Sequence, residues 1–366
     1  MKRRKIKGLI TALLALSLVT ALFAGCSSSD TSDEDAEETT EAEDTEDTED
    51  TEGAEEDSEE EQELRTIRVA VMTTLPDQYA IEVGTELGIF EEYNLQVEVT
   101  EYAYGINTID AVVNGTADTG NLADYAAANR FGNTLEDTNL VIFSELTGTA
   151  TNTGGLYVAA EYADNLEALD GSEGFITTTG TVNDYYVSLA INYLGLEEDN
   201  QTIINVDSTQ TALSLVQQNT ASAYVTSGSN ATYVEEYGWV LVATSEELGV
   251  ETGSYLLTTD EYLEENADLL ADYLLALQES LDYITENLDE VSVEMEETFG
   301  VNADDFIETW NTYVFMLGLS AEGADHLQEL ADWAYEHEKF DTAYDVRQFY
   351  NAAAAEIAFP DNYTYE

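Results

Sequence analysis

Residues 66–74 read TIRVAVMTT, residues 86–102 ELGIFEEYNLQVEVTEY and residues 105–125 GINTIDAVVNGTADTGNLADY. Together they set the fold class. Ile67–Val71 and Leu95–Val99 are short apolar runs of the kind that fills a sheet covered on both faces. Between them lies an amphipathic segment with Pro76 and Asp77 in front and Gly88 behind, the turn chemistry that starts and stops a helix. A helix over Asn107–Asn114 and a third strand around Ala117–Gly120 follow. Strand–helix–strand–helix–strand in so short a stretch predicts a parallel sheet with right-handed crossovers. Such sheets bind ligands beyond the carboxyl ends of their strands, so the loops 73–79 and 121–125 are where function is expected.

The pattern continues with a helix over Leu122–Arg130 and a strand over Leu140–Ser144. The polar, glycine-bearing TGTATNTGG at 147–155 leads into Leu156–Ala159, a strand expected to cross into a second lobe. A second α/β set follows: strand Gly174–Thr177, helix Asn183–Leu194, strand Thr202–Val206, helix Thr209–Gln217 and strands Ser222–Thr226 and Trp239–Ala243. Gly253–Thr258 is expected to cross back. After Asp260 the pattern turns helical: Leu263, Ala267, Leu270, Leu274, Leu277, Leu281 and Ile284 form one apolar stripe, read as a core-facing helix. The predicted organisation is one lobe from 64–155 plus 256–366 and an inserted lobe from 156–255. The length beyond residue 63 suits two lobes better than a single core.

Two N-terminal segments stand apart. Lys2, Arg3, Arg4, Lys5 and Lys7 precede an apolar stretch, Leu9–Phe23, that is too short for an ordinary membrane span. Leu22-Phe23-Ala24-Gly25-Cys26 resembles a bacterial lipoprotein lipobox, with Phe23 where leucine is usual. Residues 1–25 are therefore expected to be a signal peptide and Cys26 the lipid-bearing residue. Cys26 is the only cysteine, so no intramolecular disulfide forms. In 27–63, 21 of 37 residues are acidic and none is aromatic, so this stretch cannot bury enough apolar surface to order itself. The segment 26–63 reads as a disordered tether spanning roughly 30–35 Å.

The segment ELGIFEEYNLQVEV followed by IDAVVNGTADTGNLADY resembles the solute-binding proteins of ABC importers for nitrate, sulfonates, taurine and thiamine precursors. The positions that carry the likeness are Gly88, Phe90, Leu95 and Val97, then Ala111, Gly115 and Asp118. It continues through LDGSEGFITTTGTVNDYYVSLAINYLGL (169–196) and ALSLVQQNTASAYV (212–225). The resemblance implies a two-lobe, type II periplasmic-binding-protein-like α/β fold with a hinge and a helical C-terminal part. It also implies a small-molecule ligand and an ABC permease with its ATPase as partners; a monomer without cofactor, metal or catalysis is expected. One departure is TASAYVTSGSN at 220–230, where the family usually shows a tryptophan–proline turn.

Charge narrows the options. The chain has 77 acidic against 10 basic residues, a net of −67, which excludes nucleic acid and anionic membrane surfaces as partners. No nucleophile elbow, P-loop or dinucleotide-binding glycine motif occurs. His326 and His337 are the only histidines. On one helix they would stand about 16 Å apart, too far to share a metal, and they read as surface residues. A pyrimidine-forming enzyme of the same fold would demand a histidine in the cleft, and none precedes residue 326.

The predicted cleft has two walls. Thr73, Thr74, Gln78 and Tyr79 follow the first strand, Tyr104 the second, and Asn121 and Asp124 the third. Opposite stand Thr179, Thr181, Asn183 and Tyr185 before a helix, and Thr226 and Ser227 after a strand. By the resemblance, Thr181 and Asn183 contribute ligand contacts; either one could instead be a helix N-cap. Each tyrosine could instead pack in the core or on the surface. None of these loops carries Lys or Arg, so a guanidinium clamp on a sulfonate is not expected. Tyrosines, amides and hydroxyls near Asp77, Asp124 and Asp184 suit a neutral or cationic aromatic or heterocyclic solute, with taurine, other sulfonates or nitrate as the alternative.

Overall fold

The computed structural model describes residues 64–361, except 74, 136–137, 149–153 and 179–180. Cys26, the segments before residue 64, Thr74 and Thr179 lie outside the described residues, which fall in one compact unit. The chain opens with β1 (Arg65–Met72), α1 (Asp77–Leu87), α2 (Ile89–Glu92), β2 (Leu95–Tyr102), α3 (Gly105–Val113), β3 (Thr119–Ala123), α4 (Asp124–Thr134) and β4 (Leu140–Gly148). β5 (Gly154–Val158), β6 (Phe175–Thr178), α5 (Asn183–Tyr193), β7 (Ile203–Val206) and α6 (Thr209–Gln218) come next. They are followed by β8 (Ala223–Ser227), α7 (Gly228–Glu236), β9 (Val240–Thr244) and α8 (Ser245–Leu248). β10 (Ser254–Thr259) precedes α9 (Asp260–Glu286), α10 (Leu288–Phe299), α11 (Ala303–Trp310), β11 (Val314–Gly318), α12 (Ala321–Glu336) and α13 (Ala353–Ala358).

The strands make two sheets. The first has the order β11-β4-β10-β3-β1-β2, and the second β7-β6-β8-β5-β9. β1 runs parallel to β2 and β3, as its sequence predicts, with Ile67 opposite Val97 and Val69 opposite Val99. The first sheet is not wholly parallel: β10 runs antiparallel to β3 and β4, and β11 antiparallel to β4. In the second sheet β5 is the reversed strand, antiparallel to β8 and β9. Each return of the chain thus places one inverted strand inside the other sheet.

Side-chain alternation explains the apolar runs. Ile67, Val69 and Val71 of β1 enter a core built with α1, α9 and α11, while Ala70 faces the opposite core with α3, α4 and α12. In β5, Leu156 and Val158 join one core, and Tyr157 with Ala159 just beyond it join the other. The interior strands of both sheets are covered on both faces, but Leu95–Val99 is not the buried strand its sequence suggests: β2 is an edge strand that leaves Gln96, Glu98, Val99 and Thr100 exposed.

Gly88 ends α1 with a left-handed φ of 75°, which a side chain would resist. The stripe of α9 buries Leu263, Leu270, Leu274, Leu277, Leu281 and Ile284, but it is interrupted. Asn266 takes a non-helical φ of −131°, and Ala267 is left half-buried beside the kink.

Candidate functional site

On the first layer, the loop after β1 is tied down from below. Asn121, fully buried in β3, donates its amide to both carboxylate oxygens of Asp77 at 2.6 Å and accepts the Met72 N–H on its own Oδ1. Asp77 starts α1, and burial pushes its carboxyl up to about 7, opposed by the Asn121 amide and the N–H groups of Asp77 and Gln78. The Thr73 N–H donates to Tyr102 O, which fastens this loop to the end of β2. Gln78 donates to Glu101 at 2.9 Å. Tyr79 meets Phe299 and Phe306 edge-on, half-buried against the core. Tyr104 is 70% exposed just before α3.

Asp124 heads α4 at the return crossing. Its carboxylate accepts from the N–H groups of Tyr125 and Gly253 and pairs with His326 Nε2 at 2.8 Å. His326 corrects the sequence reading: it is 8% exposed, not a surface residue, because α12 packs along α4 and carries it to Asp124. Its Nδ1 lies 3.7 Å from Glu251. Burial lowers the affinity of this imidazole for a proton, but the Asp124 hydrogen bond and the charges of Asp124, Glu251 and Glu329 raise it on balance. Nearby Glu145 is pushed up to about 7 by burial, against the pull of the Ser320 N–H and hydroxyl. A late position in the chain therefore does not keep a histidine away from the crossing segments.

On the second layer the structure brings Asn183, Thr226 and Ser227 together. They line one cavity of about 180 Å³ with Tyr186, Thr209, Tyr224, Val225, Asn230, Ser245 and Val250. Its lining contains no charged side chain. Thr181 is not among these residues: its hydroxyl donates to Thr178 O and accepts the Asn183 N–H, which ties up the turn that leads into α5. Tyr185 turns the other way and meets Trp333 edge-on at 5.4 Å. Its neighbour Tyr186, which sequence reasoning passed over, is the tyrosine of α5 that reaches the cavity; burial pushes its phenol well above the usual range. The stretch 228–230 is the first turn of α7, and its Asn230 lines the same cavity.

All five described Lys and Arg residues sit against carboxylates: Arg65 on Asp272, Arg68 on Asp118, Arg130 on Asp110, Lys339 on Asp184 and Arg347 on Asp325. Among the described residues, no cluster of three or more His, Cys, Asp or Glu could hold a metal ion. None of the described helices is long and apolar enough to cross a membrane.

Two mixed sheets, each completed by a strand from the other's side of the chain, with a helical C-terminal part, constitute the type II periplasmic-binding-protein fold. That is the fold of the periplasmic solute-binding proteins of ABC importers. The model of the NMT1/THI5-like family matches residues 76–291, and the chain belongs to that family. Among solved structures it is similar to the periplasmic aliphatic sulphonate-binding protein SsuA of Escherichia coli, with a TM-score of 0.65 and 17% identity. That match covers 78% of this chain and 96% of the other. It is also similar to the periplasmic nitrate-binding protein NrtA of Synechocystis PCC 6803, with a TM-score of 0.59 and 15% identity over 81% of this chain and 89% of that one. A putative sulfonate-binding SsuA from Methylobacillus flagellatus KT gives a TM-score of 0.65 at 14% identity, covering 82% and 95%. No curated protein matches the chain.

Proposed function

We propose that this chain is an extracytoplasmic solute receptor, anchored by lipid on Cys26, that delivers a small molecule to an ABC permease and its ATPase. The lobes are 64–155 with 256–366, and 156–255. The solute binds where the carboxyl ends of the two sheets face each other, and closure follows from contacts made only when the lobes meet. The ligand is a neutral or cationic ring compound of the thiamine-precursor kind. One observation carries this choice: the cavity on the second layer is built from Asn183, Thr226, Ser227, Asn230, Tyr186 and Tyr224, while every described cation is occupied by a carboxylate.

Hydroxyl, amide and ring groups hydrogen-bond and stack on heterocycles, whereas a sulfonate wants a free guanidinium or ammonium. Titration calorimetry of the full chain against aminopyrimidines, thiamine-like cations, taurine, alkanesulfonates and nitrate tests the reading. The expected winner is a ring compound, with Thr226→Val and Asn183→Ala each weakening it about tenfold. Preference for taurine, a sulfonate or nitrate would replace the ligand assignment, and silence across the panel would remove the receptor reading. The buried His326–Asp124 pair keeps one second reading open, a pyrimidine-forming enzyme. Mass spectrometry of recovered solute separates the two, because a receptor returns its ligand unchanged.

A further inference from the structure

Helix α5 has two working flanks. Asn183 and Tyr186 face the 180 Å³ cavity, while Asp184 and Val187 line a second cavity of about 490 Å³ on the other side. The far wall of this second space is the end of α12 and the residues after it: Trp333, His337 and Lys339. Lys339 Nζ donates to Asp184 Oδ2 at 2.9 Å, and the other oxygen of Asp184 accepts from the Thr177 hydroxyl at 2.8 Å. The carboxylate is thus fixed from both layers at once. The same ammonium lies 5.6 Å from the centre of the Trp333 ring, which stacks on His337 at 4.1 Å and receives Tyr185 edge-on. His337 Nε2 stands 3.4 Å from Glu198, whose other oxygen accepts from Ser188. Arg65, Arg68, Arg130 and Arg347 pair with acids of their own layer; the Lys339–Asp184 pair spans the two.

We propose that Lys339 is a positioning residue: with Trp333 and His337 it forms a clasp that seats the first turn of α5, and so sets the wall of the solute cavity from behind. The ion pair fits that role because Asp184 is largely buried while Lys339 remains partly exposed, so the carboxylate has few other ways to be neutralised. In a chain with a net charge of −67, an ammonium between two acidic layers also relieves their mutual repulsion where they approach. Its effect on affinity rests on the solute-receptor reading; its effect on the seam does not.

The test has two arms. Small-angle scattering of the unliganded full chain reads the seam directly. Lys339→Met keeps the aliphatic stem and loses the charge; it should enlarge the radius of gyration, and Lys339→Arg should restore it. Salt near 1 M screens both the ion pair and the repulsion between the acidic layers, so it should shrink the difference between the natural chain and Lys339→Met. The second arm is calorimetry with whichever panel solute binds best: Lys339→Met and Asp184→Asn should each weaken it about three- to fivefold, and together no more than either alone. Identical scattering for the natural chain and Lys339→Met at low salt overturns the clasp, whether or not any solute binds. Altered scattering with unchanged affinity overturns the positioning role. A panel without any ligand refutes the receptor reading and leaves scattering to decide the clasp.

Discussion

Replacing Asp77 by asparagine should stabilise the protein at neutral and alkaline pH and do little in acid. Asp77 is fully buried, its two oxygens share the amide of Asn121, and no cation among the described residues pairs with it. Burial therefore moves its carboxyl from 3.8 to about 7. A group whose affinity for protons is raised by folding contributes fully while it is protonated in both states, below 3.8. That contribution is lost as the pH climbs through the folded value near 7 and is gone above it. At about 1.4 kcal/mol per pH unit, the loss between pH 4.5 and 8 comes to about 3 kcal/mol. The substituted amide would still accept from the Asn121 side chain and would carry no charge, so Asp77→Asn escapes this loss. Urea unfolding at pH 4.5, 6 and 8 measures it. The variant should match the natural chain within about 1 kcal/mol at pH 4.5 and exceed it by about 3 at pH 8. Repulsion among the other carboxylates weakens both proteins alike and cancels in the difference. A difference that stays flat across this range refutes the reasoning.

Three further outcomes are expected. His326→Gln should destabilise by about 1–3 kcal/mol at pH 6, less at pH 9, because a histidine whose proton affinity is raised stabilises below its ordinary 6.5 and stops doing so above its folded value; a gap that widens with pH contradicts the Asp124 pairing. Gly155→Ala should cost about 3 kcal/mol or more, since φ is 153° and the added carbon would collide with the Ala243 carbonyl; an unchanged melting temperature speaks against that contact. Phe131→Ala empties a stacked contact with Phe349 at 4.2 Å and should cost about 3–5 kcal/mol, read from chemical denaturation.

The first three strands were legible because β1 is buried on both faces and its flanking turns carry Pro76, Asp77 and Gly88. β11 was not: Val314–Gly318 is short, lies among helices, and acquires strand geometry by pairing with β4. α7 was missed because Gly228, Ser229 and Asn230 have the composition of a turn, yet the chain uses them as the opening turn of a helix. At the candidate site, residue types told less than helical phase. Tyr185 and Tyr186 look equivalent in sequence, and only the contact with Trp333 decides which of them faces the cavity. His326 follows Asp325 in a polar stretch that suggests solvent, but its partner Asp124, 202 residues away, holds it in a buried position. Thr226 and Ser227 were recognisable because they end a strand, the one position where the fold itself points side chains toward a ligand.

The inverted strands also bear on the order in which the polypeptide can fold. β10 lies between β3 and β4, so these two face each other across a slot one strand wide until Ser254–Thr259 has been synthesised. Throughout production of the intervening hundred or so residues, the nascent amino-terminal half holds two unpaired edges and an apolar surface it cannot close. Maturation is accordingly a late, long-range event, reached only after the second sheet has been made and the chain has come back. A fragment ending before Ser254 should thus behave as an aggregation-prone intermediate rather than as half a protein.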